Sequence, residues 1–156
     1  MTGVQTCALP ICEGAYRYGG RWSSLGVRLS YTSEHQSLAL LEYFVHLDKD
    51  DPPSYLVLGM AEVPDDLSLE RVEVSNLSAN WRASAAPPEL AEIGDEFVRK
   101  GENCLLLVPS VLAPNEHNWL LNPAHREFSR IVIQEPESLV YDPRMFGKPS
   151  RGKPEG

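Results

Sequence analysis

The chain has 156 residues, 42% hydrophobic and 23% charged, which is ordinary composition for one globular domain. Its formal net charge of -8, with no Lys/Arg cluster, argues against direct nucleic-acid binding. No apolar run approaches the roughly 18 residues of a membrane span, and Cys7, Cys12 and Cys104 form neither a disulfide framework nor a zinc pattern, which fits a reducing compartment.

Residues 1–12 (MTGVQTCALPIC) lack a basic start and are too broken in apolar character for a signal peptide. They resemble translated sequencing-adapter sequence and are set apart as not native, so the domain at 13–146 is expected to lack its true start. Residues 13–27, rich in Gly, Ser and aromatics, predict a loop where Gly19 and Gly20 permit close backbone approach. Alternation of Val27, Leu29 and Tyr31 predicts a short strand. Ser33 and Gln36 have capping-box spacing and open a helix predicted over 34–47. Asp50, Asp51, Pro52 and Pro53 end it in a turn.

Residues 54–63 are nearly continuous in apolar character and predict a strand buried on both faces. Residues 67–74 alternate as another strand, and 75–88 read as irregular with Trp81 as an anchor. Leu90, Ile93 and Phe97 at helical spacing, with Gly101 as a stop, predict a helix over 88–100. Residues 104–110 predict an apolar strand in which Cys104 is a small buried hydrophobe. The polar segment 115–128 reads as a loop, 129–134 as a strand and 139–142 as a weaker one. The tail at 147–156, rich in Lys, Pro and Gly, is expected to be disordered. Few helices and several strands make the class mixed α+β.

The helix at 34–47 is the most informative element. Leu38, Leu40, Leu41, Phe44, Val45 and Leu47 surround its cylinder on most sides, which predicts a well-buried helix with Glu42 in its middle. A carboxylate there is bonded, paired, perturbed or on an open cleft; the alternative is a narrow solvent face shared with His35, His46 and Lys49. Arg21 follows two glycines, where a guanidinium suits a phosphate or carboxylate, or simply stacks on Trp22. Tyr31 either walls a pocket or fills the core. Ser110 follows an apolar strand as a cleft residue or a turn former. Asn118, Asn122 and His125 crowd the next loop, where capping and turn duties account for them equally well. His125 has no partner at metal-ligand spacing, and there is no P-loop, GxGxxG, GxSxG or HExxH motif.

The segments GGRWSSLGVRLSYTSE, LALLEYFVHLD, YLVLGMAEVPDDL, WR at 81–82, VPSVLAPNEHNWLLNPAH and YDPRMF, in this order across residues 18–146, resemble the RES domain. The resemblance departs at the front, where the family has a strand or more before GGRW, and at Ser23, where the family more often shows Asn. It implies an ADP-ribosyltransferase-like α+β fold with a split, bent sheet, flanking helices and a central cleft for NAD. It implies a toxin of a bacterial toxin–antitoxin pair, cytoplasmic, that cleaves NAD at the nicotinamide–ribose bond by hydrolysis or phosphorolysis. The alternative activity is mono-ADP-ribosylation of a protein. The implied catalytic set is Arg21, Tyr31 and Glu42. Glu42 would stabilise charge on the ribose, Arg21 would bind the NAD phosphate, and Tyr31 would stack on nicotinamide. Ser110, the family serine, would position the nicotinamide–ribose side, and Asn118 and Asn122 would shape the cleft. NAD is then a substrate, with no prosthetic group or metal required. The implied partner is an Xre-like antitoxin with its own DNA-binding domain, leaving this chain without nucleic-acid or membrane contact; a homodimer is left open. The rival readings are a non-catalytic RES module, an unfolded fragment, and a glycosidase with a second acid facing Glu42.

Overall fold

The computed structural model describes residues 4–7, 11–48 and 50–147. The chain runs through β1 (Val4–Cys7), α1 (Ile11–Tyr18), β2 (Ser30–Ser33), α2 (Gln36–Phe44), β3 (Leu56–Glu62) and β4 (Leu69–Arg71). It continues through α3 (Pro88–Lys100), β5 (Leu105–Pro109), β6 (His117–Leu121), β7 (Val132–Ile133) and β8 (Glu137–Leu139). The strand order is β4-β5-β6-β2-β1-β3-β7, and among the described residues only β4 and β5 pair in parallel. β3 splits the sheet. Its Gly59–Glu62 end pairs with β1, whereas Leu56–Leu58 pair with β8 in a second sheet. The mixed α+β class expected from the sequence is therefore present.

β5 is buried along its whole length because both sides of the sheet are covered. Successive strand residues point to opposite faces. Leu106 and Val108 join Leu120, Trp22, Leu29, Trp81, Leu90 and Phe97 on one side. Leu105, with Cys104 just before the strand, joins Leu121, Ala61, Val63, Leu67 and Ile131 on the other. α3 covers the first side through Leu90, Gly94 and Phe97, and burying each of the two large side chains contributes about 1.5–3 kcal/mol. Gly94 permits the contact: a Cβ there would lie 1.7 Å from the Trp22 carbonyl oxygen. Gly101, at φ 60°, ends the helix as expected.

Several expectations need correction. Residues 13–27 are not all loop, because α1 runs to Tyr18 and ends where the Gly19 N–H donates to the Ala15 carbonyl. The strand over 27–31 sits at Ser30–Ser33 instead. Ser33 does not cap α2; His35 holds the cap position and Ser33 bonds elsewhere. α2 is not well buried: only Leu38 is fully covered, while Leu41 and Tyr43 within it and Val45 just after it are exposed. The strand buried on both faces is β5, whereas β3 is only partly covered. The polar segment 115–128 contains a strand, β6, between β5 and β2. Its backbone polar groups are satisfied by two neighbours while Leu120 and Leu121 enter the two cores. The strand expected at 129–134 shrinks to a 3₁₀ turn and the two residues of β7. The strand expected at 67–74 shrinks to β4, and the one expected at 139–142 lies earlier, as β8, sharing only Leu139 with the expected range.

The opening stretch set apart in the sequence contributes β1, which lies between β2 and β3. The tail expected to be disordered lies, beyond Gly147, outside the described residues, as does Lys49.

Candidate active site

β2, β6, the turn after β5 and the segment around Tyr141 converge on α2. Period two along a strand places Tyr31 and Ser33 of β2 on one face, paired in register with Leu120 and Asn118 of β6. Beside Asn118 in the ladder lies Val108, two residues before Ser110. α2 brings Glu42 over this edge, half-buried. Its Oε1 accepts from the Ser110 hydroxyl at 2.8 Å and from the Asn118 Nδ2 at 2.7 Å. The Asn118 Oδ1 in turn accepts from the Ser33 hydroxyl at 2.7 Å.

Ser110 is fully buried, and its oxygen also accepts the N–H groups of Leu112 and Ala113. The turn that follows β5 is therefore folded around this hydroxyl. α2 is held from its other side as well. Tyr141 donates to the Leu40 carbonyl at 2.6 Å, and Tyr141 and Phe146 pack on Phe44. Asp142 accepts from the Arg144 N–H and caps the short 3₁₀ turn that carries Phe146.

The Arg21 loop lies against the same core. Arg21 donates through Nη1 to the Trp81 carbonyl at 2.9 Å and through Nη2 to the Ala83 carbonyl at 3.0 Å. Arg82, in the same turn, donates to the Val111 carbonyl at 2.7 Å. One turn thus joins the Arg21 loop to the Ser110 loop. The Tyr31 hydroxyl accepts from the Trp22 N–H and shares a hydrogen bond with Ser23. Burial pushes that hydroxyl above its ordinary value of 10.0, against the pull of the Ser23 and Trp22 bonds, so it is protonated at neutral pH. Gly20 makes room for it: a Cβ there would lie 2.6 Å from the Tyr31 oxygen. From α3, Asp95 accepts the Ser24 N–H.

Glu42, Ser110 and Asn118 are therefore in direct contact, with Tyr31 on the same sheet face and Arg21 tied to the adjoining turn. Asn122 is not brought to this cluster. It lies past the opposite end of β6, about 13 Å of strand from Asn118, and its Oδ1 accepts the Ala124 N–H in a turn. His125 is beside it, accepting from the Glu127 N–H. Cys104 is fully buried, as expected, and burial pushes its thiol up to about 11. Among the described residues no group of three His, Cys, Asp or Glu side chains could hold a metal ion. Among them, too, no helix is long and apolar enough to cross a membrane.

Comparison with known protein families matches residues 5–142 to the RES domain. The chain belongs to the RES domain family. The match begins inside the stretch set apart at the front of the sequence. This RES domain is 38% identical over 137 residues to the Prs ADP-ribosylating toxin of Sphingobium sp. (strain YBL2), covering 86% of this chain and 85% of that one. It is 36% identical over 133 residues to Toxin Res of Yersinia enterocolitica, covering 85% and 87%. Among solved structures it matches a chain of the M. tuberculosis MbcT–MbcA toxin–antitoxin complex with a TM-score of 0.74 at 13% identity, covering 94% of this chain and 87% of that one. At that identity the likeness is one of fold.

Reasoning from the RES sequence missed Ser23, Ser33, Arg82 and Gly94. Spacing alone points Ser33 to a helix cap. Arg82 carried a signal, since it lies in the isolated WR that marked the resemblance. Ser23, Ser33 and Gly94 matter through partners distant in the chain, for which local pattern offers no cue.

Proposed function

We propose that this RES domain consumes NAD by breaking the nicotinamide–ribose bond, as the toxin of a toxin–antitoxin pair. The observation that carries the reading is a carboxylate held in advance: Glu42 is gripped through one oxygen by Ser110 and Asn118, beside the Tyr31 face and the Arg21 turn. When the bond breaks, its electron pair leaves with the nicotinamide nitrogen and positive charge develops on the ribose. A fixed carboxylate stabilises that charge without reorganising as it forms. Water or phosphate then bonds to the same carbon and loses a proton, giving ADP-ribose or its 1-phosphate together with nicotinamide.

Arg21 binds the pyrophosphate in this reading. Its two backbone carbonyl contacts set the plane of the guanidinium, and the guanidinium's further N–H donors would take a phosphate oxygen. Tyr31 offers its ring to nicotinamide and orients the leaving group. Ser110 and Asn118 orient Glu42. The names of the relatives, two of which are an ADP-ribosylating toxin and a Res toxin, support the chemical class. The structural neighbour comes from a toxin–antitoxin complex, which supports an antitoxin partner; in this reading that partner covers the site.

The test is to incubate the purified chain with NAD, with and without phosphate, and to identify products by chromatography and mass spectrometry. Nicotinamide release is expected; unchanged NAD in both conditions overturns the reading. The name of the Sphingobium relative favours a second outcome, transfer of ADP-ribose to a protein. NAD labelled in its adenylate part, added with cell extract, distinguishes it by label on protein.

A further inference from the structure

We infer that Ser33 is a positioning residue that sets which way round the Asn118 amide stands, and thereby gives the two oxygens of Glu42 different tasks. The inference rests on the reading of Glu42 as the group that faces substrate. An amide side chain has nearly the same shape either way round, but one end only accepts and the other only donates. The Ser33 hydroxyl, on a residue 4% exposed, donates to the Asn118 Oδ1 at 2.7 Å. That contact leaves Nδ2 facing the Glu42 Oε1, also at 2.7 Å. The opposite orientation would set an amide oxygen against a carboxylate oxygen, with no proton between them.

Ser110 reaches the same atom. Its oxygen already accepts from the Leu112 and Ala113 N–H groups, so its single proton is directed to the Glu42 Oε1. Both donors therefore end on Oε1, and among the described residues no hydrogen bond reaches Oε2. Oε1 is the anchored atom and Oε2 is the atom offered to the ribose. Ser33 touches neither substrate nor Glu42. Register holds it in place, opposite Asn118 on one side and the backbone of Thr6 on the other.

The test combines two readouts. The Asn118 side-chain amide is followed by nitrogen-15 NMR and assigned by its loss in Asn118→Ala. The kcat and KM for NAD are measured in Ser33→Ala, Asn118→Ala and the double variant. In Ser33→Ala the amide resonances are expected to move. There kcat falls about fivefold, with KM within about twofold, as expected for loss of one buried orienting hydrogen bond. In the Asn118→Ala background the Ser33 substitution is expected to change kcat no further. Unmoved amide resonances, or kcat losses that add fully in the double variant, overturn the inference. The resonances need no turnover, so an amide that moves in Ser33→Ala, together with a wild-type chain that leaves NAD intact, supports the positioning role and overturns the proposed function. Where Ser33→Ala does not fold, Ser33→Cys, a weaker donor of similar size, carries the same test.

Discussion

At one end of β6, Asn118 gives its amide to a carboxylate on another element; at the other end, Asn122 turns its amide oxygen back onto the chain, two residues on. The two ends are built from the same kinds of side chain. Around Asn122, the His125 ring accepts the Glu127 N–H, and Glu127 takes the Ser68 hydroxyl and the Arg130 guanidinium, which also holds Asp66. The Ser68–Glu127 and Arg130–Asp66 bonds join distant parts of the chain, and the Glu127 carboxylate is engaged through both oxygens. Around Asn118, the donors converge on a single oxygen of Glu42. A network that engages both oxygens of its carboxylate contributes to stability; one that anchors a carboxylate by one oxygen leaves the other for a ligand.

The contrast is broken most strongly at Glu42. In Glu42→Gln the rate of NAD consumption is expected to fall about a thousandfold, the scale of losing a main charge-stabilising group, with the melting temperature little changed. Single-turnover assays and thermal unfolding check both halves. Asn118→Ala is expected to lower kcat about tenfold, because Glu42 loses one of its two donors. Steady-state kinetics read it.

The matching substitution at the far end works in reverse. Asn122→Ala is expected to leave kcat unchanged and to lower the unfolding free energy by about 0.5–1.5 kcal/mol, since the Ala124 N–H loses its acceptor. Urea titration measures that loss. The last effect is one of pH. Burial first, then the charge of Glu127, raises the Cys104 thiol from 9.0 to about 11, so the unfolded chain ionises it first. Its stability contribution is complete below pH 9 and is lost as pH rises toward 11, by about 2–3 kcal/mol. Urea titrations between pH 8 and 11 are expected to show that decline in the wild type and a shallower one in Cys104→Ala.

Much of this arrangement was legible in the sequence where the signal is local. The 3.6-residue period of Leu90, Ile93 and Phe97, with Gly101 as a stop, located α3 at its observed bounds. The run from Cys104 located β5, and a lone carboxylate among apolar neighbours singled out Glu42. β6 was hidden because His117 and Asn118 are polar, while its strand character comes from two neighbouring strands that satisfy its backbone. Asn118 and Asn122 were equivalent in the sequence, four residues apart in one segment.

The sequence by itself determined the family, the α+β class and the residue types present at the candidate site, because hydrophobic period, turn chemistry and motif order are properties of neighbouring residues. Only the tertiary structure decided which asparagine meets Glu42, which hydroxyl orients it, and which glycines admit Tyr31 and the Trp22 backbone. Those choices depend on strand register and close packing between segments up to 85 residues apart, and no short-range pattern encodes such contacts.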